Sequence, residues 1–292
     1  MSALVNPFAP FDAALTAAMH SDIERVLAED VGSGDITALL LPPSKWVRAR
    51  VTVREAALLC GAPWFEGVFT HLDSGVRIDW RYPEGGQMAA GNEVCLIEAP
   101  VRSLLTGERS ALNCLQLLSG VATKACAYVD AVAGTQAVIV DTRKTVPGLR
   151  LAQKYAVRVG GARNQRLALY DGILIKENHI AAAGGVANAL RAAQGLHTDL
   201  PTQIEVETQA QLDEALAAGA TSILLDNFTL EAMRDAVRRT GGRAALEASG
   251  GVTIDTVRAV AETGVDRISV GSLTKDIRAT DYSMRIIGWV SP

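Results

Sequence analysis

From Ala137 onward, short apolar runs recur, and each stops on a charged or small polar residue: AVIVD before TRK, GILIK, QIEVE, SILLD before Asn, AALEAS before GG, and RISVG before Ser. Stretches with apolar residues at three- and four-residue steps lie between them. The runs are too short for helices and nearly continuous in hydrophobicity, the pattern of strands buried on both faces. Six strands alternating with helices require a parallel sheet covered by helices, because parallel neighbours need crossovers. The short repeat favours a closed barrel over an open doubly wound sheet. Thr208 and Gln211 have the spacing of a reciprocal helix cap, and Gly219, Gly241 and Gly264 fall where helices should end. Neither GxGxxG nor GxxxxGK followed by Ser or Thr occurs, which removes the usual dinucleotide and P-loop readings.

The first third of the chain has a different rhythm. Leu15, Ala18, Met19, Ile23, Val26 and Leu27 keep helical spacing as far as about Asp30. Val47, Ala49, Val51 and Val53 then alternate with Arg48, Arg50, Thr52 and Arg54, and Val76 to Tyr82 alternate likewise. Period two with one charged face indicates half-buried strands in an antiparallel or mixed sheet. Val94 to Ile97 supplies a third run. Ser103 to Ala133 reads as one or two long helices, interrupted near Ser119-Gly120, with Arg109 on a solvated face.

Composition narrows the function classes. The 292 residues are 49% hydrophobic and 21% charged, values of a soluble globular enzyme with volume for a large core. A net charge of −4 disfavours nucleic acid or an anionic membrane as the main partner. The four cysteines lack CxxC spacing, so the sequence indicates no zinc site or redox pair. The N-terminus lacks the pattern of a signal peptide, and no apolar stretch is long enough to span a bilayer; the expected location is cytoplasmic.

The strand ends carry the chemistry. In parallel α/β folds ligands bind at the carboxyl ends of the strands. There the sequence places Arg143 and Lys144 after one run and Lys176 after the next, while Arg166 follows a glycine turn. Each alone could be an ordinary ion-pair partner of Glu205, Glu207, Asp226 or Glu247. Together at one rim they point to an anionic ligand, since desolvating so many charges without one is costly. Ser249-Gly250-Gly251 and Ser269-Val270-Gly271 end the last two runs, where barrels commonly hold a phosphate. Glu205 and Asp226 suit a magnesium ion or ribose hydroxyls. A phosphorylated sugar and a small polyanion fit this set.

The motifs DTRKTVPGLR, GGARNQR and LIKENH, with EDVGSGDIT near the start and GVDRISVGSLTKD near the end, closely resemble the quinolinate phosphoribosyltransferase family. The resemblance implies an α+β open-sandwich domain over residues 1–115, with 275–292 packing back onto it. It implies an incomplete barrel of about seven parallel strands over 116–274. It also implies transfer of phosphoribose from phosphoribosyl pyrophosphate to quinolinate, with loss of carbon dioxide, in the making of nicotinate mononucleotide for NAD biosynthesis. Residue by residue, Arg109 (from a partner subunit), Thr142, Arg143, Lys144, Gln165, Arg166 and Lys176 would bind the anionic groups. Glu205 and Asp226 would face the ribose and magnesium. Ser249 to Gly251 and Ser269 to Gly271 would hold the 5-phosphate. Lys144, Lys176, Glu205 and Asp226 would be the catalytic set. The implied assembly is a homodimer with shared active sites, alone or within a higher oligomer.

One departure stands out. The family's glycine turn usually reads Gly-Gly-Gly-x-Asn-His-Arg; here Ala162 and Gln165 replace a glycine and the histidine. Ala162 could crowd a left-handed turn, and Gln165 can donate a hydrogen bond but carries no charge. Three other readings stay open: transfer to another aromatic acid such as nicotinate, a Schiff-base aldolase using Lys176, and a catalytically silent anion-binding barrel.

Overall fold

The computed structural model describes residues 2–290. The chain opens with helix α1 (Ala13–Val31), whose first turn is capped by the Asp12 carboxylate accepting from Leu15 N–H at 2.7 Å. Strands β1 (Trp46–Val53) and β2 (Ala57–Leu58), helix α2 (Ala62–Leu72), strands β3 (Arg77–Trp80), β4 (Gln87–Met88) and β5 (Glu93–Pro100), and helix α3 (Val101–Ala131) follow. Next come β6 (Val138–Val140), α4 (Arg150–Val159), β7 (Ile173–Ile175), α5 (Glu177–Ala183), α6 (Val186–Gln194), β8 (Thr202–Val206) and α7 (Gln209–Ala217). Then β9 (Ser222–Asp226), α8 (Leu230–Thr240), β10 (Ala245–Ser249), α9 (Val257–Ala261), β11 (Arg267–Ser269), α10 (Ser272–Lys275) and β12 (Tyr282–Val290) complete it.

The chain forms two compact units. One comprises the residues up to Lys124, Val146–Gly160 and the chain from Asp276 on; the other is Ala125–Thr145 with Gly161–Lys275. In the first unit the main sheet is antiparallel, in the order β12-β1-β5-β3. The alternation along β1 does what period two requires: Val47, Ala49, Val51 and Val53 are buried, while Arg48 turns outward to Glu98. Helix α4 also belongs to this unit. Its Tyr155 packs edge-on to Phe8 and Phe11 and against Trp64, at centroid distances of 6.1, 5.1 and 5.3 Å.

The expected interruption near Ser119-Gly120 is absent, and α3 runs through both residues. Packing explains the composition there. A Cβ on Gly120 would lie 2.2 Å from the carbonyl oxygen of Arg278, so only glycine lets that backbone approach. Ser119 Oγ donates to Cys60 O at 3.0 Å and accepts from Tyr282 O–H at 2.8 Å.

In the second unit six parallel strands run β6-β11-β10-β9-β8-β7. Where about seven strands are expected, the described residues form six strands plus one paired residue. Arg163 forms a single parallel bridge to Val140, its N–H donating to Ile139 O at 2.9 Å. The caps fall where the sequence places them: Thr208 accepts from Gln211 N–H at 3.2 Å, and Gly241 ends α8 in the left-handed region, at φ 57°. Along β8 to β11 the residues alternate. Ile204, Val206, Ile223, Leu225, Leu246, Ala248 and Ile268 are buried, and the intervening positions line cavities inside the sheet.

Candidate active site

At the carboxyl ends of the strands lies a cavity of 360 Å³. Thr142, Arg143 and Lys144 enter it from the end of β6, Lys176 from the end of β7, and Glu205 from β8. Asp226, Ser249 and Ser269 come from the last residues of β9, β10 and β11, and Gln165 and Arg166 from the glycine turn. The structure therefore gathers ten of the residues singled out in the sequence into one cavity. Gly250, Gly251, Val270 and Gly271 do not line it. Val270 is buried, its N–H donating to Val140 O at 2.9 Å, and a Cβ on Gly271 would meet the Lys144 side chain at 3.2 Å. Arg109 lies in the first unit, exposed on α3.

Two of the arginines here each carry a nitrogen that nothing around it satisfies. Nε of Arg143 and Nε of Arg166 are both buried with no hydrogen-bond partner. Burial lowers the Arg166 pKa, and the charge of Arg143 lowers it further. Arg166 also donates to Gly172 O at 3.0 Å, which fixes its direction without neutralising it. Two guanidiniums facing one space at mutual cost favour an anion between them. For Lys176 the ordinary ion pair holds: its Nζ donates to Glu205 Oε2 at 3.0 Å. Burial pushes the Glu205 carboxyl above its usual range; Lys176 opposes this and the neighbouring Asp226 charge adds to it. Two hard oxygen donors that repel each other across adjacent strand ends fit a divalent cation. Glu205 and Asp226 could hold one.

The glycine turn is held by a residue to which the sequence reading gave no role. Asp141, buried at the end of β6, accepts from Asn164 Nδ2 at 2.6 Å and from Gln165 N–H at 2.9 Å. The signal available was an aspartate directly after a fully apolar strand, where burial demands several donors. Ala162 causes no backbone strain. The left-handed residue of the turn is Gly161, at φ 85°, while Ala162 keeps a negative φ and is buried. Gln165 Nε2 donates to Gln203 Oε1 at 3.1 Å, and Gln203 Nε2 donates to Glu247 Oε2 at 2.9 Å. Glu247 Oε2 also takes Arg267 Nε at 3.1 Å. This polar layer separates the cavity from a second, of 300 Å³, toward the amino ends of the strands. Period-two reading of QIEVE and AALEAS would have placed Gln203 and Glu247 on the inner face.

The comparisons with known proteins agree with this architecture. Residues 35–119 match the model of the quinolinate phosphoribosyl transferase N-terminal domain, and residues 121–285 that of its C-terminal domain. The chain is 42% identical over 281 residues to a nicotinate-nucleotide pyrophosphorylase (carboxylating) of Mycobacterium leprae, covering 94% of this chain and 97% of that protein. It is 39% identical over 272 residues to a probable nicotinate-nucleotide pyrophosphorylase (carboxylating) of Bacillus subtilis, covering 91% and 94%. The solved nicotinate-nucleotide pyrophosphorylase of Francisella tularensis superposes with a TM-score of 0.91 at 39% identity, covering 98% of this chain and all of that one. Matched along both domains and nearly its whole length, this chain belongs to the quinolinate phosphoribosyl transferase family.

Proposed function

We propose that this protein transfers phosphoribose from phosphoribosyl pyrophosphate to quinolinate, releasing pyrophosphate and carbon dioxide and leaving nicotinate mononucleotide. The observation that carries the reading is the pair of buried, unpartnered guanidinium nitrogens of Arg143 and Arg166 in a cavity that also holds carboxylates. Quinolinate is a dianion of a size to sit between such cations. Thr142, Gln165 and Lys144 would complete its binding, and the Ser249–Gly251 and Ser269–Gly271 segments would hold the 5-phosphate.

Charge dictates the order of events. As the bond from the anomeric carbon to pyrophosphate breaks, positive charge grows on the ribose ring, which Glu205 and Asp226 favour by lying nearby. Lys144 and Lys176 stabilise the negative charge growing on the leaving oxygens. A magnesium ion bound with the pyrophosphate, held by Glu205 and Asp226, would supply further neutralisation of that group. The quinolinate nitrogen attacks the anomeric carbon from the opposite face and becomes cationic. The bond to the adjacent carboxylate then breaks, carbon dioxide leaves, and the electron pair stays on the ring carbon beside the cationic nitrogen until a proton replaces it. Arg109, exposed on α3, would act in the barrel of a second copy, giving a dimer with shared sites.

Incubating the purified protein with magnesium, phosphoribosyl pyrophosphate and quinolinate labelled in its 2-carboxylate tests this. Labelled carbon dioxide and nicotinate mononucleotide should appear in equal amounts. Turnover of nicotinate in place of quinolinate, without carbon dioxide, would overturn the substrate assignment.

A further inference from the structure

Directly after Asp226, at the end of β9, Asn227 adopts a backbone conformation that asparagine tolerates but most residues do not, with φ at 55°. Among the described residues His197 is the one other non-glycine with positive φ. Three contacts hold Asn227 there. Its backbone N–H donates to Ser249 O at 3.0 Å, tying the end of β9 to the end of β10. Its Nδ2 donates to Asp226 Oδ2 at 2.9 Å. Its Oδ1 is pressed against Gly250: a Cβ there would lie 2.1 Å from Oδ1 and 2.8 Å from Cγ. Gly250 is thus bare where the amide passes, and the amide is clamped between a glycine and a carboxylate that lines the cavity.

We propose that Asn227 is a positioning residue that holds the Asp226 carboxylate toward the phosphoribosyl donor and its metal; this rests on the role given to Asp226 above. The chemistry is specific. The amide donates one hydrogen bond to Oδ2 without adding charge, and that bond restricts the rotation of the Asp226 carboxylate. With Oδ2 engaged from outside the cavity, Oδ1 is the oxygen left to face a ligand. A residue that served only to shape the turn would need nothing but positive φ, and glycine meets that need better than asparagine. The two roles therefore part at one substitution.

The test is calorimetric titration of the full-length protein with phosphoribosyl pyrophosphate in magnesium chloride, without quinolinate, so that the readout is binding and not turnover. Asn227→Gly keeps the backbone and removes the donor. Asn227→Asp keeps the shape and replaces the donor by an acceptor. Both should weaken binding about tenfold or more, the range for losing an outer-shell partner of a ligating group, with melting temperature little changed. Asp226→Asn should weaken binding as well, and adding Asn227→Gly to it should cause no further loss, because no carboxylate remains to be positioned. Wild-type affinity in Asn227→Gly, or an equal additional loss in the Asp226→Asn background, would overturn the proposal and leave Asn227 a turn residue. If Asp226→Asn alone binds as tightly as wild type, the role given to Asp226 falls, and this inference with it.

Discussion

Two buried carboxylates, one in each unit, are treated in opposite ways. Glu84 lies beneath the aromatic cluster of the first unit and accepts from Gly61 N–H at 2.7 Å, Ala62 N–H at 3.1 Å and Tyr155 O–H at 2.9 Å. It caps the start of α2 and ties α4 to it, with both oxygens engaged. Glu247 in the barrel is as deeply buried, yet its Oε1 has no partner, and neither do Nε of Arg143 and Nε of Arg166. Buried polar groups are ordinarily satisfied, so unsatisfied ones gathered around a cavity mark where stability has yielded to ligand binding. The first unit is finished as it stands. The barrel is finished by what it binds.

The sharpest way to break this contrast is Arg143→Met. Removing a half-buried arginine whose Nε is buried without a partner should lower turnover at least about a hundredfold, as for a lost transition-state donor, while the melting temperature holds or rises. A marked loss of stability with turnover retained would make Arg143 structural, like Glu84. Next in size is complementation between Arg109→Ala and Lys144→Ala, each nearly inactive alone. After unfolding, mixing and refolding, random pairing should give about half heterodimers and recover roughly a quarter of wild-type activity. No recovery despite demonstrated heterodimers would confine Arg109 to its own chain.

Glu84→Gln tests the other side. Burial pushes the Glu84 carboxyl up to about 7 from its ordinary 4.5, with the hydrogen bonds from Gly61, Tyr155 and Ala62 opposing the shift. The folded state therefore binds this proton more tightly than the unfolded state does. Its stabilising contribution is complete below about pH 4.5 and is lost as pH rises through about 7. Glutamine does not titrate, so the melting temperature of wild type relative to Glu84→Gln should fall between pH 5 and about 7.5, with turnover alike in both. A constant difference over that range would mean Glu84 is ionised throughout. The smallest effect is expected from Gln165→His: a lower Michaelis constant for quinolinate, by about tenfold at most, where the imidazole is protonated. An unchanged constant at every pH would show that this position does not sense the substrate's charge.

What could be read in the sequence follows the same division. The cavity residues were legible because they sit where apolar runs stop, and a strand end in a parallel sheet has one functional direction. Thr142 to Lys144, Lys176 and Asp226 needed no knowledge of distant residues. Ser119-Gly120 misled because glycine in a helix reads as a break, whereas its cause is the Arg278 carbonyl, more than half the chain away. Asn227 was invisible for a similar reason: its partner Gly250 lies just past the end of the next strand. The polar interior formed by Gln203, Glu247 and Arg267 was missed because these strands were read as continuous apolar runs and not at period two. Arg163 shows the limit of run-counting, since one paired residue leaves no run to count.

The pairing of β12 with β1 has a consequence for how the molecule is made. The strand on one side of β1 in the first sheet follows all the barrel strands in sequence, so a nascent polypeptide holds β1 with one edge open while every barrel strand is synthesised. Contacts between such distant residues close slowly, because a long loop must be ordered before they form. The barrel strands pair with sequence neighbours, apart from β6 with β11, and are available earlier. During that interval the backbone groups of β1 on that side are an unprotected edge. A ribosome pause before Tyr282, or a chain released short of it, would present this edge to other copies. Aggregation of incomplete chains should accordingly be suppressed by adding a peptide with the sequence of β12.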